Sequence, residues 1–320
     1  MDTDERELFA KSLHQVTAAG TGPALDAALV GLGWREALPA DPQAAVSLLF
    51  EAQGAAGATS SALEVVVLDA LGIEADPDAG IVLPPLGRTE PPAQVAGEGV
   101  EVGGLGLAAL PGRGRAVVVA PTGERCVAAV VDTAALDLRL VHGLDPRLGL
   151  VEVAGGDAPA ATRSDHALAS WSAAVASGQR ALGHELVGAS RTMLALAREH
   201  ALERVQFGRP IAQFQAVRHR LAEAYVAIEA ADAALGGAWD DGTPLTAAMA
   251  KAVAGRSART VARHCQQVLA GIGFTTEHDL HLYVRRAIVL DRLLGDSRSL
   301  TRRLGEDLLA RRALPPLLPL

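Results

Sequence analysis

The sequence predicts an α+β fold that is mostly α, with an N-terminal helical domain over residues 1–78, a small middle β domain over 79–158 and a C-terminal helical bundle over 159–320. Three observations predict it. Apolar residues recur at helical spacing up to about residue 72 and again beyond residue 160. Valine-rich runs broken by Pro and Gly lie between these two regions. One seam alternating threes and fours, Phe214, Val217, Leu221, Ala224, Ile228, Ala231 and Leu235, is long enough to need partner helices.

In the first region Leu8, Leu13 and Val16 share a helical stripe, and Leu25, Leu29 and Leu32 form another before Gly33 and Trp34. Asp41 and Pro42 are an N-cap and first-turn pair that opens a helix carrying Val46, Leu49 and Phe50. From Ala79 the character changes. Pro84, Pro85, Pro91 and Pro92 break any helix, while Val100, Val102 and the valines of 117–119 and 127–131 favour strands. Gly155, Gly156 and Pro159 predict a linker into the bundle. There the seam leaves Arg218, Glu223, Glu229 and Asp232 outside it. Thr243 and Pro244 start the next helix, which runs through Met249 and Val253 to about Leu269, and another is expected near Thr276 with Glu277 and Asp279 in its first turn.

Composition narrows the function. The 320 residues are 49% hydrophobic with only 3% aromatics, so Leu, Val and Ala must fill the cores; mean hydropathy is +0.22. A net charge of -8 argues against a nucleic-acid partner, which needs clustered cations to neutralise phosphates. Cys126 and Cys265 lie far apart with no ligand spacing, so neither a disulfide framework nor structural zinc is expected. His278 and His281 stand one helical turn apart without an acidic or Cys partner at ligand spacing, and no metal is expected there. The N-terminus lacks an apolar leader and no run suits a membrane span, so a cytoplasmic protein is expected.

Two stretches carry the chemistry. In EHALERVQFGRPIAQFQAVRHRLAEAY (Glu199 to Tyr225), Arg204 brings a permanent planar cation, Gln206 a neutral donor, and Gly208 lets backbone N–H groups approach a phosphate. The plainer alternative is a helix end at Gly208 followed by Pro210, as any αα-hairpin could use. The second stretch is QVLAGIGFTTEHDLHLYVRRA (Gln267 to Ala287). Together they resemble the acyl-CoA dehydrogenase family, with its Arg-x-(Gln/Thr)-Phe-Gly turn and its Gln-x-x-Gly-Gly-x-Gly-Phe segment. The helix, β, helix order is similar too. The resemblance implies FAD as cofactor, with Arg204 and Gln206 on its pyrophosphate and Phe207 and Gly208 beside it. It also implies that Gln267, Gly271 and Gly273 meet the same cofactor across a subunit interface. Ala270 departs from the pattern, standing where the family has the first Gly of its pair.

A dehydrogenase of this family removes an α-proton from an acyl thioester while a hydride leaves the β-carbon, and the base is a Glu of raised pKa. The resemblance puts that Glu at Leu294, just before Gly295, or in another branch at Gly178; neither residue accepts a proton. Nearby carboxylates are Asp291, expected to be salt-bridged among Arg285, Arg286 and Arg292, and Glu185, expected to face solvent or cap a partner. The middle domain lacks the family's Trp-Ile-Thr strand. Thr89-Glu90-Pro91 lies in a Pro-rich stretch of different pattern, and Gly104-x-Gly106-x-x-Ala109 reads as a hairpin, since no βαβ unit frames it.

The resemblance therefore implies a subunit with no base of its own. It would contribute FAD-pyrophosphate contacts and interface helices to a mixed α2β2-type enzyme that introduces an α,β double bond into a steroid side-chain or fatty acyl-CoA. A homologous acyl-CoA dehydrogenase subunit would supply base, ring pocket and most acyl-CoA contacts. Two alternatives stay open: a self-sufficient homo-oligomer using Asp291 or Glu185 as base, and a flavin-free structural or binding protein on the same fold.

Overall fold

The computed structural model describes residues 1–74 and 76–312. Five helices open the chain: α1 (Thr3–Ala19), α2 (Pro23–Gly31), α3 (Trp34–Ala40), α4 (Pro42–Ala56) and α5 (Ala62–Ala70). Asp41 caps α4 by accepting from Ala44 N at 3.0 Å, with Pro42 in the first turn, where its missing N–H costs nothing. Trp34 is buried and donates its indole N–H to Ala45 O at 2.9 Å. Of the expected stripe on α1, Leu13 and Val16 face inward and Leu8 does not. Leu8 is 68% exposed, and Phe9 and Thr17 complete the inward face.

The strands are β1 (Ala79–Ile81), β2 (Ala93–Ala96), β3 (Gly99–Gly106), β4 (Arg115–Thr122), β5 (Arg125–Asp132), β6 (Asp137–Leu140) and β7 (Val151–Ala167). They form one sheet in the order β1-β4-β5-β7-β3-β2, with β6 also on β7 and only β1–β4 parallel. Gly104 and Gly106 lie within β3, where a Cβ would press on Leu83 O and Leu110 respectively, so they serve close packing. The expected linker at Gly155, Gly156 and Pro159 is instead the middle of β7. That strand pairs first with β3 and β6 and then with β5, and Pro159, which has no N–H to donate, sits at the handover. Glycine and proline here redirect a strand without ending it.

The bundle consists of α6 (Leu168–Glu203), α7 (Gln215–Asp241), α8 (Pro244–Leu269), α9 (Leu280–Arg292) and α10 (Ser297–Arg311). Every residue of α6 from Gly178 to Ser190 is buried, because α4, α5, α7, α8 and α9 all pack on it. The closest approach is backbone to backbone. A Cβ at Gly54 would overlap Glu185 O, and one at Gly188 would overlap Glu51 O, so α4 and α6 touch through glycine. On α7 the seam buries Ala224, Ile228, Ala231 and Leu235. Helix α9 starts at Leu280, later than the sequence suggests, so Glu277 and Asp279 are outside it. Thr275 Oγ and the His278 ring accept the backbone N–H groups of Glu277 and Leu280, which satisfies this turn without a helix. Among the described residues no helix is long and apolar enough to cross a membrane.

Candidate functional site

Beyond α6 the chain makes a two-residue hairpin, β8 (Val205–Gln206) on β9 (Arg209–Pro210). Phe207 and Gly208 form its turn with φ of 51° and 77°, the left-handed pair that a tight hairpin turn requires. The turn is therefore a β-hairpin between two helices, and its tip is bare. Phe207 is 92% exposed, meeting only the edge of Phe214, over which Arg209 also stacks. Gln206 donates to Val205 O at 2.7 Å, and the Arg204 guanidinium makes no hydrogen bond or ion pair to any described residue. A bulky side chain held in left-handed backbone and left in water gains nothing within this chain.

The second segment begins at Gln267, exposed in the last turn of α8, and continues as a 3-10 turn over Ala270–Phe274. Ala270 has φ 54° and ψ -132°, a conformation that suits glycine. The alanine has thus kept the glycine backbone. Gly271 is open to solvent, Gly273 packs on Leu269, and Phe274 is 71% exposed. The His200 pKa is lowered by burial and then by the charges of His278 and Arg204, so the end of α6, the hairpin and the turn before α9 are neighbours. Ala270→Gly should stabilise the chain by about 1 kcal/mol by relieving the backbone. Urea unfolding measures this, and an unchanged midpoint would mean that position 270 carries no strain.

Gly178 and Leu294, the two places that the resemblance assigns to a base, are in contact. Gly178 on α6 faces Leu294 between α9 and α10: a Cβ at Gly178 would overlap Leu294 Cδ1 and lie 3.2 Å from Val67 and 3.6 Å from Leu63. Leu294 is buried at φ 53°, and Gly295 follows at φ 96°. The turn is pinned. Gln179 Nε2 donates to Leu294 O at 2.9 Å, and Lys251 donates to Leu290 O and Asp291 O at 3.0 and 2.9 Å. Burial pulls the Lys251 pKa down to about 8. Lys251 escaped sequence reasoning, although a lone Lys among the Ala and Val of α8 was the available signal.

Neither nearby carboxylate faces this spot freely. Asp291 pairs with Arg259 of α8 at 2.5 Å and accepts from Ser297 N and Oγ at 3.1 and 3.0 Å, so it links α8 to the start of α10. The expected partners were Arg285, Arg286 and Arg292; the helical twist of α9 turns Arg285 and Arg292 to solvent and Arg286 inward elsewhere. Glu185 is buried, where solvent or a cap had been expected. It lies 3.4 Å from Arg286 Nη1, and burial pushes its pKa up to about 7. Beside it, a cavity of about 20 Å³ bounded by Leu182, Leu290 and Leu293 has room for no more than a water. Arg286 also bonds Asp145, Ala58 O, Gly57 O and Thr59 Oγ, joining α9 to the N-terminal helices and to the loop before β7.

Other clusters have structural partners. Glu51, His184 and Asp232 bring three possible ligand atoms within 4.8 Å of one another. Their cation is already Arg191, which pairs with Glu51 and with Asp232, while His184 holds Glu51 through Nδ1 and accepts from Trp239 through Nε2. His281 bonds the backbone carbonyl of His278. Thr89 and Glu90 bond Arg303 of α10, and the Trp171 indole donates to Thr89 O, so this loop latches the sheet to the bundle.

Residues 173–309 match the family model described as acyl-CoA dehydrogenase, C-terminal domain. The chain is 30% identical to acyl-CoA dehydrogenase IpdE2 of Mycolicibacterium smegmatis over 325 residues, covering 95% of this chain and 99% of that protein. It is 44% identical over 126 residues to IpdE2 of Mycobacterium tuberculosis, a match spanning 39% of this chain and 40% of that protein. In fold it is similar to the ChsE4-ChsE5 complex of Mycobacterium tuberculosis (TM-score 0.76, 21% identity, 99% of each chain). It is similar as well to the Tcur3481-Tcur3483 steroid ACAD variant (TM-score 0.77, 23% identity, 96% of each chain).

Proposed function

Because this chain belongs to the acyl-CoA dehydrogenase family, we propose that it is a base-lacking subunit of a mixed oligomer that oxidises an acyl-CoA to its α,β-unsaturated product. Members of the family are FAD-dependent. Bound FAD supplies the hydride acceptor. In this reading Arg204 offsets diphosphate charge, the amides around Gly208 come close to phosphate oxygens, and Phe207 covers the cofactor. Gln267, Gly271 and Gly273 meet the same cofactor. An unpaired guanidinium, a left-handed turn and an exposed phenyl fit that group.

One observation carries the proposal: Gly178 and Leu294, the places the resemblance assigns to a base, fill a single spot with hydrocarbon and offer no carboxylate. A homologous subunit supplies the base, the flavin-ring pocket and most acyl-CoA contacts. Likeness to a two-component complex and to a steroid ACAD supports a mixed assembly and a steroid-derived acyl group. Alone, the purified chain should hold little flavin and give no acyl-CoA turnover with an artificial acceptor; co-expressed with a homologous subunit, it should give both. Arg204→Gln should weaken FAD in that assembly about tenfold, the loss of one charge-assisted contact. Turnover by the chain alone would refute the proposal. A second reading, with Glu185 as base, is favoured by its raised pKa. Glu185→Gln discriminates, because turnover disappears under that reading and persists under ours.

A further inference from the structure

In the proposed cofactor site, Gln267 stands in the last turn of α8, where unpaired carbonyls give the helix end a partial negative charge. An anion held there is repelled unless cations compensate. Residues three and four apart share a helix face, so Gln267 stands one turn beyond Arg263 and His264 on the same side of α8. Arg263 is exposed and forms no hydrogen bond or ion pair to any described residue. The start of α7 runs alongside. Its Glu223 Oε2 lies 3.2 Å from His264 Nε2, and its Arg220 is near enough for its charge to act on the same ring, as that of Arg263 does. His264 is buried with Nδ1 unpartnered, and burial followed by the two arginines holds its pKa below the usual value, so it adds no cation. Exposed Glu223 offsets one of the two arginines.

We propose that Arg263, supported by Arg220 across the α7–α8 groove, is a second cationic contact for the dinucleotide diphosphate, approaching it from the Gln267 side while Arg204 approaches from the hairpin. The inference rests on the reading of the cofactor site given above. The pair would supply the charge that the C-terminal end of α8 otherwise lacks. It also gives the Gln267 segment a reason to hold phosphate with an alanine at 270.

The test is calorimetric titration of the mixed assembly, stripped of flavin, with millimolar ADP, and with AMP as the monophosphate control, at low and moderate salt. Arg263→Gln, an exposed helix-surface change whose fold is checked by thermal melting, should weaken ADP about tenfold and flatten the salt dependence. Arg263→Lys should recover part of the loss, and AMP should be less sensitive than ADP. If Arg204→Gln weakens ADP while Arg263→Gln binds like the wild type, the Arg263 contact is wrong and the cofactor reading stands. Weakening by Arg263→Gln alone keeps this contact and removes the hairpin from the site. ADP that fails to bind, or that binds both variants as tightly as the wild type, overturns both.

Discussion

Arg286→Met should remove about 3–5 kcal/mol of stability, a large share of what holds a folded chain together. The guanidinium is buried among Asp145, Glu185, Thr59 Oγ and the carbonyls of Gly57 and Ala58. Met matches its volume and leaves those groups without their donor. The Asp145 carboxylate, its side chain buried, then has no counter-charge. Arg286→Lys should fall between, since an ammonium cannot reach so many acceptors in one plane. Adding Asp145→Asn and Glu185→Gln to Arg286→Met should restore part of the loss, because neutral amides need no counterion. Urea unfolding measures all four proteins; a loss below about 1 kcal/mol for Arg286→Met would show that this cluster does not hold the three regions together.

The stabilisation from Glu64 and Glu185 should fall as pH rises from about 4.5 to about 7, against an opposite contribution from His200 and His264, whose pKa values are lowered. Glu64 and Glu185 are buried, and burial raises both pKa values from 4.5 to about 7 against the pull of Arg113 and Arg286 respectively. The folded chain therefore binds these protons more tightly than the unfolded one. Their stabilising contribution is complete below the unfolded value and is lost as pH passes the folded value, on the order of 3 kcal/mol for each group. Lys251, lowered to about 8, acts in the other direction only above that pH. Glu64→Gln and Glu185→Gln should each lessen the fall in stability between pH 5 and 7 by a similar amount in urea unfolding. An unchanged slope in both variants would mean that these carboxylates ionise normally in the fold.

Local features were legible in the sequence and long-range ones were not. The Asp41-Pro42 cap and the Arg204 to Gly208 turn depend on neighbouring residues, so their types announced them. The same local logic misread β7, because Gly155, Gly156 and Pro159 look like a linker unless the strands on either side are known. Asp291 has three arginines close in sequence, yet its partner is Arg259 on another helix, since the turn of α9 separates side chains adjacent in the chain. The places that the family resemblance assigns to the base, Gly178 and Leu294, lie far apart in sequence. Their contact, held by Lys251 and Gln179, needed the fold.

The most direct test of the account is flavin bleaching by acyl-CoA under anaerobic conditions, in the mixed assembly, with the homologous subunit's base glutamate changed to glutamine. With this chain left intact, the flavin should remain bound and oxidised, because Gly178 and Leu294 provide no proton acceptor. Bleaching at an undiminished rate would show that this chain supplies a base of its own, contradicting the account.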